Sequence, residues 1–226
     1  MRAGASASPS DEETALFLVI PARRTNRKPF QDRALPDGLV NDLRRAAERE
    51  GAWMWPVDGE HRVAVADLVD EGDRIQWADR RFRSELAHWL RPARRGDGLS
   101  SMYMYGLGPL VVRWLDLGKS TGRKNRELAM SAPLLMVLGT GGDGMRDWLV
   151  AGQALARVLL RARIDGVDAS YLNQPVQVSR LRPWLADLVR VQGWPQVLLC
   201  LGYGTEVPAS SRRPVDIVLE EAGARR

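Results

Sequence analysis

"APLLMVLGTGGDGMRDWLVAGQALARVLLRARI", Ala132 to Ile164, is the stretch whose reading decides the fold. Its opening, "APLLMVLGT", is an apolar run of strand length and predicts a buried strand. From Met145 to Ile164 the pattern changes period: Trp148, Gly152, Leu155, Leu159 and Ala162 trace one face, and Leu149, Ala156 and Leu160 widen it. That spacing predicts a helix buried on two sides, ended by Gly166. Between strand and helix lies "GTGGDG", Gly139 to Gly144, which matches G-x-G-x-x-G in the context a dinucleotide fingerprint requires. Three features oppose a Rossmann fold. The match falls past the midpoint of 226 residues, "VDASYLNQPV" brings no acidic residue at a second strand end, and no regular βαβ alternation follows. The glycines therefore read as a turn, with Asp143 or Asp147 near the helix start favouring its dipole.

Outward from this stretch, "SRLRPWLADLVRV" predicts an amphipathic helix from about Ser179, and "WPQVLLCLGYG" a second buried strand. Upstream, Leu39, Val40, Leu43, Ala46 and Ala47 recur at helical spacing, with Gly51 as C-cap, and "AWMWPV" is a short strand. "HRVAVADLVDEGDRIQWADRRFRSELAHWL" reads as one or two arginine-rich amphipathic helices. From Arg91 to Gly122 the chain is punctuated by glycine and reads as an irregular connection. The organisation is α+β: residues 1–14 a disordered leader, 15–220 one domain, and 221–226 a tail.

Apolar content of 45% and charged content of 27% describe an ordinary globular chain. No apolar run is long enough to span a bilayer, and "MRAGASASPSDEE" lacks the apolar segment of a secretory signal. A single cysteine, Cys200, lies in an apolar run and excludes an internal disulfide, which fits a reducing cytoplasm. With two histidines and that one thiol, a structural metal site has no material, so no metal is expected. No G-x-S-x-G elbow occurs, and no histidine or carboxylate stands out as an essential acid or base.

The net charge of +5 comes almost wholly from arginine and favours anionic partners. Its densest run is "ARRTNRKPF", Ala22 to Phe30. Nucleic-acid recognition would want aromatic interleaving or a recognised module, and neither is present. Arg23, Thr25 and Arg27 alternate, so an extended backbone would turn all three toward one anion, and guanidinium forks with a hydroxyl suit a phosphate. Arg212 and Arg213 in "SSRRPVD" could close such a pocket from the far end of the chain.

"RRTNRKPF", "DWLVAGQALARVLLRA", "NQP" and "RRPVDIVL", in this order, resemble the nitroreductase superfamily, most closely the second half of its Acg-type actinobacterial proteins. The likeness runs from Ile20 to Leu219. It implies a central mixed or antiparallel sheet flanked by helices, and a dimer with FMN at the subunit interface. By the same resemblance Arg23, Arg24, Thr25 and Arg27 would contact the FMN phosphate and pyrimidine edge, joined by Arg212 and Arg213. Leu172, Asn173 and Gln174 would lie by the isoalloxazine. The implied activity passes reducing equivalents from NAD(P)H through the flavin to a nitro, quinone or similar acceptor. One element departs from the pattern: where relatives place "APSxxNxQPW" to hold the ring, this chain reads "AAEREGAWMWPVDG". That departure keeps a second reading open, a flavin-sequestering or degenerate subunit that works with a second copy or a related partner chain.

Overall fold

The expected strand forms as β4 (Leu134–Thr140), and every residue of it is buried. It lies inside a four-stranded sheet, between β1 (Trp53–Pro56) and β6 (Trp194–Gly202), with β5 (Asp168–Tyr171) on the far side of β6. Every neighbouring pair in this sheet is antiparallel. The computed structural model describes residues 8–91, 99–100, 108–206 and 219.

Both faces of β4 are covered, which explains why its sequence is a continuous apolar run. Met136 and Leu138 point, with Leu199 and Leu201 of β6, into a core shared with α2 (Leu39–Glu48) and α7 (Met145–Ile164). Leu135 and Val137, with Leu198 and Cys200, point the other way, into a core that includes Val65 and Val69 of α3 (Gly59–Ala78). Ala129 of α6 (Gly118–Ser131) and Leu185 of α9 (Arg182–Val189) complete that second core. The alternation is the two-residue period of a strand, and it makes the molecule a three-layer α/sheet/α stack. Burial pushes the Cys200 thiol up to about 12, so it is an inert part of this core.

The long arginine-rich segment resolves into two helices, α3 and α4 (Arg80–Trp89), separated at Asp79. Asp79 has extended backbone, and its Oδ1 accepts from Arg81 N at 2.8 Å, capping α4. Among its described residues, the span from Arg91 to Gly122 is less irregular than its glycines suggest. Beyond the short strands β2 (Leu90–Arg91) and β3 (Leu99–Ser100), it includes α5 (Pro109–Trp114) and the first turns of α6. Gly118 and Gly122 are helical because α6 packs tightly on α3: a Cβ on Gly118 would sit 3.0 Å from Arg74 Cα, and Gly122 backs onto Asp70. A first helix, α1 (Asp11–Val19), begins inside the segment expected to be a leader. It is started by a capping box in which Ser10 Oγ accepts from Glu13 N and Glu13 accepts from Ser10 N.

Helix α7 buries Ala151, Ala154, Val158, Leu159 and Ala162, but the expected burial on two sides is not met among the described residues. Met145 and Leu149 are 77% and 71% exposed, and Gly152 and Ala156 continue this outer strip. Among the described residues, no helix is long and apolar enough to cross a membrane.

Candidate functional site

The basic run follows α1 through a short 3-10 turn, Ile20–Ala22. Arg23 is already extended, with φ −67° and ψ 127°. Thr25 then pairs in parallel with Ala169 of β5, and Asn26 N donates to Ala169 O at 2.9 Å. This stretch therefore covers the outer edge of β5, an edge whose backbone groups would otherwise lack partners. Asn26 is fully buried, its Oδ1 accepting from Lys28 N at 3.0 Å, and the chain bends at Lys28. Past the bend, Phe30 lies against Gly202 and Gln31 N donates to Tyr203 O at 2.8 Å.

The cationic side chains differ in what they do. Arg24 turns back on its own turn, donating to Pro21 O at 2.6 Å and Arg23 O at 2.8 Å. Arg23 and Thr25 are half-buried and Arg27 is exposed. Among the described residues no carboxylate pairs with Arg23. Nearby, Asp168 accepts from Arg163 at 2.9 Å; burial pushes its carboxyl up while Arg163 pulls it down. Arg212 and Arg213 lie outside the described residues.

At its other end β5 runs into the second group of candidate residues. Leu172 is buried, and its N donates to Leu198 O at 3.0 Å. Asn173 Oδ1 accepts from Leu198 N at 2.9 Å, so a side chain continues the pairing with β6 where the strand ends. Gln174 opens α8 (Gln174–Gln177), and its Nε2 donates to Asp73 Oδ2 of α3 at 3.1 Å. Gln174 Oε1 is buried without a hydrogen-bond partner among the described residues. Asn125 of α6 also donates to Asp73 Oδ2, at 2.8 Å. Burial pushes the Asp73 carboxyl up to about 6, with Asp70 adding to the shift and the Asn125 and Gln174 amides opposing it.

The glycine loop is built differently. Gly144 N donates to Asp147 Oδ2 at 3.0 Å, which caps α7. Thr140 Oγ1 donates to Gly142 O at 2.8 Å. Asp143 takes both prongs of Arg182, at 2.7 and 2.8 Å, together with Trp148 Nε1 at 2.9 Å and Gln196 Nε2 at 3.1 Å. Arg182, ahead of the other donors, holds the Asp143 carboxyl at about 2. This is a turn closed by side chains of α7, α9 and β6.

Sequence reasoning did not single out Asn26, Asp73 or Asn125. For Asp73 a signal existed: it lies four residues after Val69 and four before Trp77, at core positions of α3. An acid on a buried helical face is the informative departure. Among the described residues, no three His, Cys, Asp or Glu side chains group as metal ligands.

No protein-family model matches the chain. An uncharacterized protein of Mycobacterium tuberculosis H37Rv is 27% identical over 226 residues, covering 94% of this chain and 65% of its own length. A second protein of that strain, named provisionally as an NAD(P)H nitroreductase, is 24% identical over 220 residues, covering 94% and 63%. Another of that provisional name, acg, is 24% identical over 203 residues, covering 87% and 61%. The chain thus spans somewhat less than two thirds of the length of these curated relatives. Among solved structures, the FMN and NADPH-dependent nitroreductase of sphigopyxis sp. strain HMH superposes with a TM-score of 0.58 at 18% identity, over 95% of this chain and all of that one. A nitroreductase-like family protein from Bacillus cereus gives 0.55 at 16% identity, over 98% of this chain and all of that one.

Proposed function

From the nitroreductase fold and the sequence likeness to Acg-type members of that superfamily, we propose that this chain is an FMN-dependent oxidoreductase of the nitroreductase type. It takes reducing equivalents from NAD(P)H and passes them to a nitro, quinone or similar small acceptor. The observation that carries the reading is the joint placement made by β5: its edge holds the Arg23–Arg27 run, through Thr25 and Ala169, and its end opens into Leu172, Asn173 and Gln174. Arg23, Thr25 and Arg27 are the groups we assign to the phosphate, with Arg24 bracing the turn beneath them. From the resemblance, Arg212 and Arg213 are assigned to the same end. Gln174 Oε1, buried and without a partner among the described residues, fits the ring end, because an amide oxygen in that state calls for an N–H donor. FMN, when bound, supplies acceptance and delivery of two electrons; the protein supplies its seating and electrostatics.

A second reading, a flavin-sequestering or degenerate subunit that acts with a second copy or a related chain, has its own support. The place of the missing ring-holding stretch is the end of α2 and β1, where Ala46, Ala47, Ala52 and Met54 are all core residues. No asparagine or glutamine stands there to meet a ring. The exposed strip of α7 through Met145 and Leu149 is the surface such a partner would cover.

The visible spectrum of the purified protein is the test. Flavin absorbance that is released on denaturation and identified as FMN is the expected result, and a colourless protein that excess FMN cannot reconstitute overturns the proposal. Oxidation of NAD(P)H with a quinone or nitroaromatic then separates the enzyme from the sequestering subunit.

A further inference from the structure

Asp73 has no part in the phosphate assignment, yet three features of the fold converge on it. It is 3% exposed, and a single oxygen, Oδ2, accepts from α6 through Asn125 and from α8 through Gln174. The contact with α8 depends on the residue before it: a Cβ on Gly72 would come within 2.6 Å of Gln174 Cβ, so glycine lets the two backbones meet. The third feature is the far end of the same amide, Gln174 Oε1, buried and without a partner among the described residues.

A primary amide has a donor end and an acceptor end, and an ionised carboxylate only accepts. Ionised Asp73 therefore dictates that Nε2 faces it and Oε1 faces away. We propose that Asp73 is a positioning residue whose ionisation state sets which end of the Gln174 side-chain amide is presented on the side away from α3. When the carboxyl takes up a proton from solvent, its O–H donates to Oε1, and the amide turns to present Nε2 instead. Among the described residues, the charge acting on Asp73 is that of Asp70, one turn earlier on α3 and paired with Arg74 at 2.7 Å, while α6 and α8 bring the uncharged amides of Asn125 and Gln174. Burial and Asp70 bring the titration of Asp73 to about 6. Resting on the flavin reading, this makes the ring meet an acceptor above that pH and a donor below it.

The experiment follows the side-chain amide resonances of Gln174 in the flavin-free protein, from about pH 4.5 to about pH 8. Gln174→Leu identifies those resonances by their loss. They should titrate with a midpoint near 6 in the native chain and lose that transition in Asp73→Asn. Resonances that do not titrate, or that titrate alike in Asp73→Asn, overturn the proposal. Should Asp73→Asn fail to fold, the native titration followed alongside the Asp73 carboxyl carbon decides, since unequal midpoints overturn it. The affinity for FMN is read separately and should change by roughly tenfold across the same range, flattening in Asp73→Asn. A titrating amide with no FMN binding at any pH keeps the positioning role and refutes the flavin reading. FMN binding with a silent amide does the reverse.

Discussion

Two strand ends in this molecule carry polar sequence motifs, and they differ in what the fold leaves open. After β4, the "GTGGDG" loop has its polar groups engaged within the fold: Asp147 caps Gly144, Thr140 holds Gly142, and Asp143 gathers Trp148 of α7, Arg182 of α9 and Gln196 of β6. After β5, and among the described residues, Gln174 keeps one amide end without a partner and, along the strand's edge, Arg23 has no carboxylate. The first stretch has the stronger formal motif and the weaker capacity for a ligand. A fingerprint states spacing only, whereas binding needs donors and acceptors that the protein has not already satisfied.

The sharpest way to break this contrast is Asp143→Ala. Removing the carboxylate leaves the mostly buried Arg182 guanidinium without its bidentate partner. Unfolding free energy in denaturant should fall by about 2–3 kcal/mol, while FMN affinity stays as in the native chain. A large loss of FMN affinity would mean that the glycine loop belongs to the site after all.

Acid titration probes the same pair with a smaller effect. The Asp143 carboxyl is held at about 2, below its ordinary value of 3.8, so the unfolded chain binds more protons between these values. The pair's contribution is complete above about pH 4 and disappears as pH falls through about 2. With solvent screening at a partly exposed pair, the loss should be about 1–2 kcal/mol. Asp143→Ala should lack this part of the acid limb, and an unchanged limb would show that other carboxylates govern it.

On the other side of the contrast stands Arg23→Ala. On the proposed phosphate assignment, loss of one charge-assisted contact should weaken FMN binding by about 1.5 kcal/mol, roughly tenfold. Thermal stability should hardly move, since the fold gives this guanidinium no carboxylate partner among the described residues. Arg24→Ala should do the opposite in kind, loosening the turn it braces at Pro21. Flavin content in Arg23→Ala unchanged from the native chain would make the basic edge a solvated surface.

How much of this was legible beforehand follows from the physics of each element. The strand at β4 and the helix α7 were readable because long runs of one period leave few alternatives. The glycine turn was readable as a turn because the chain around it could not build a parallel sheet, and the sheet is antiparallel. Gly118 and Gly122 misled because a glycine that admits a neighbouring helix and one that breaks a helix look alike without the partner, here α3. The outer strip of α7 was read as buried because periodicity reports apolarity and not which surface covers it. At the site, the alternation of Arg23, Thr25 and Arg27 was visible, but Asn26 between them was not, although its burial fixes the bend at Lys28. Asp73 is the hardest case, since an acid in an amphipathic helix usually faces water and only its register with Val69 and Trp77 argues otherwise.

The smallest expected effect lies at the rim of the glycine loop. Trp148 is 54% exposed, and its Nε1 donates to Asp143 at 2.9 Å. Trp148→Phe removes that donor and keeps an aromatic ring at the position. A carboxylate that still holds both prongs of Arg182 loses little when one partly solvated donor is replaced by water. The expected change is about 0.5 kcal/mol in denaturant unfolding, with no change in flavin content. A loss several times larger would place Trp148 among the groups that close the loop. A change in flavin content would instead place the mouth of α7 beside the flavin, and the contrast between the two strand ends would no longer hold.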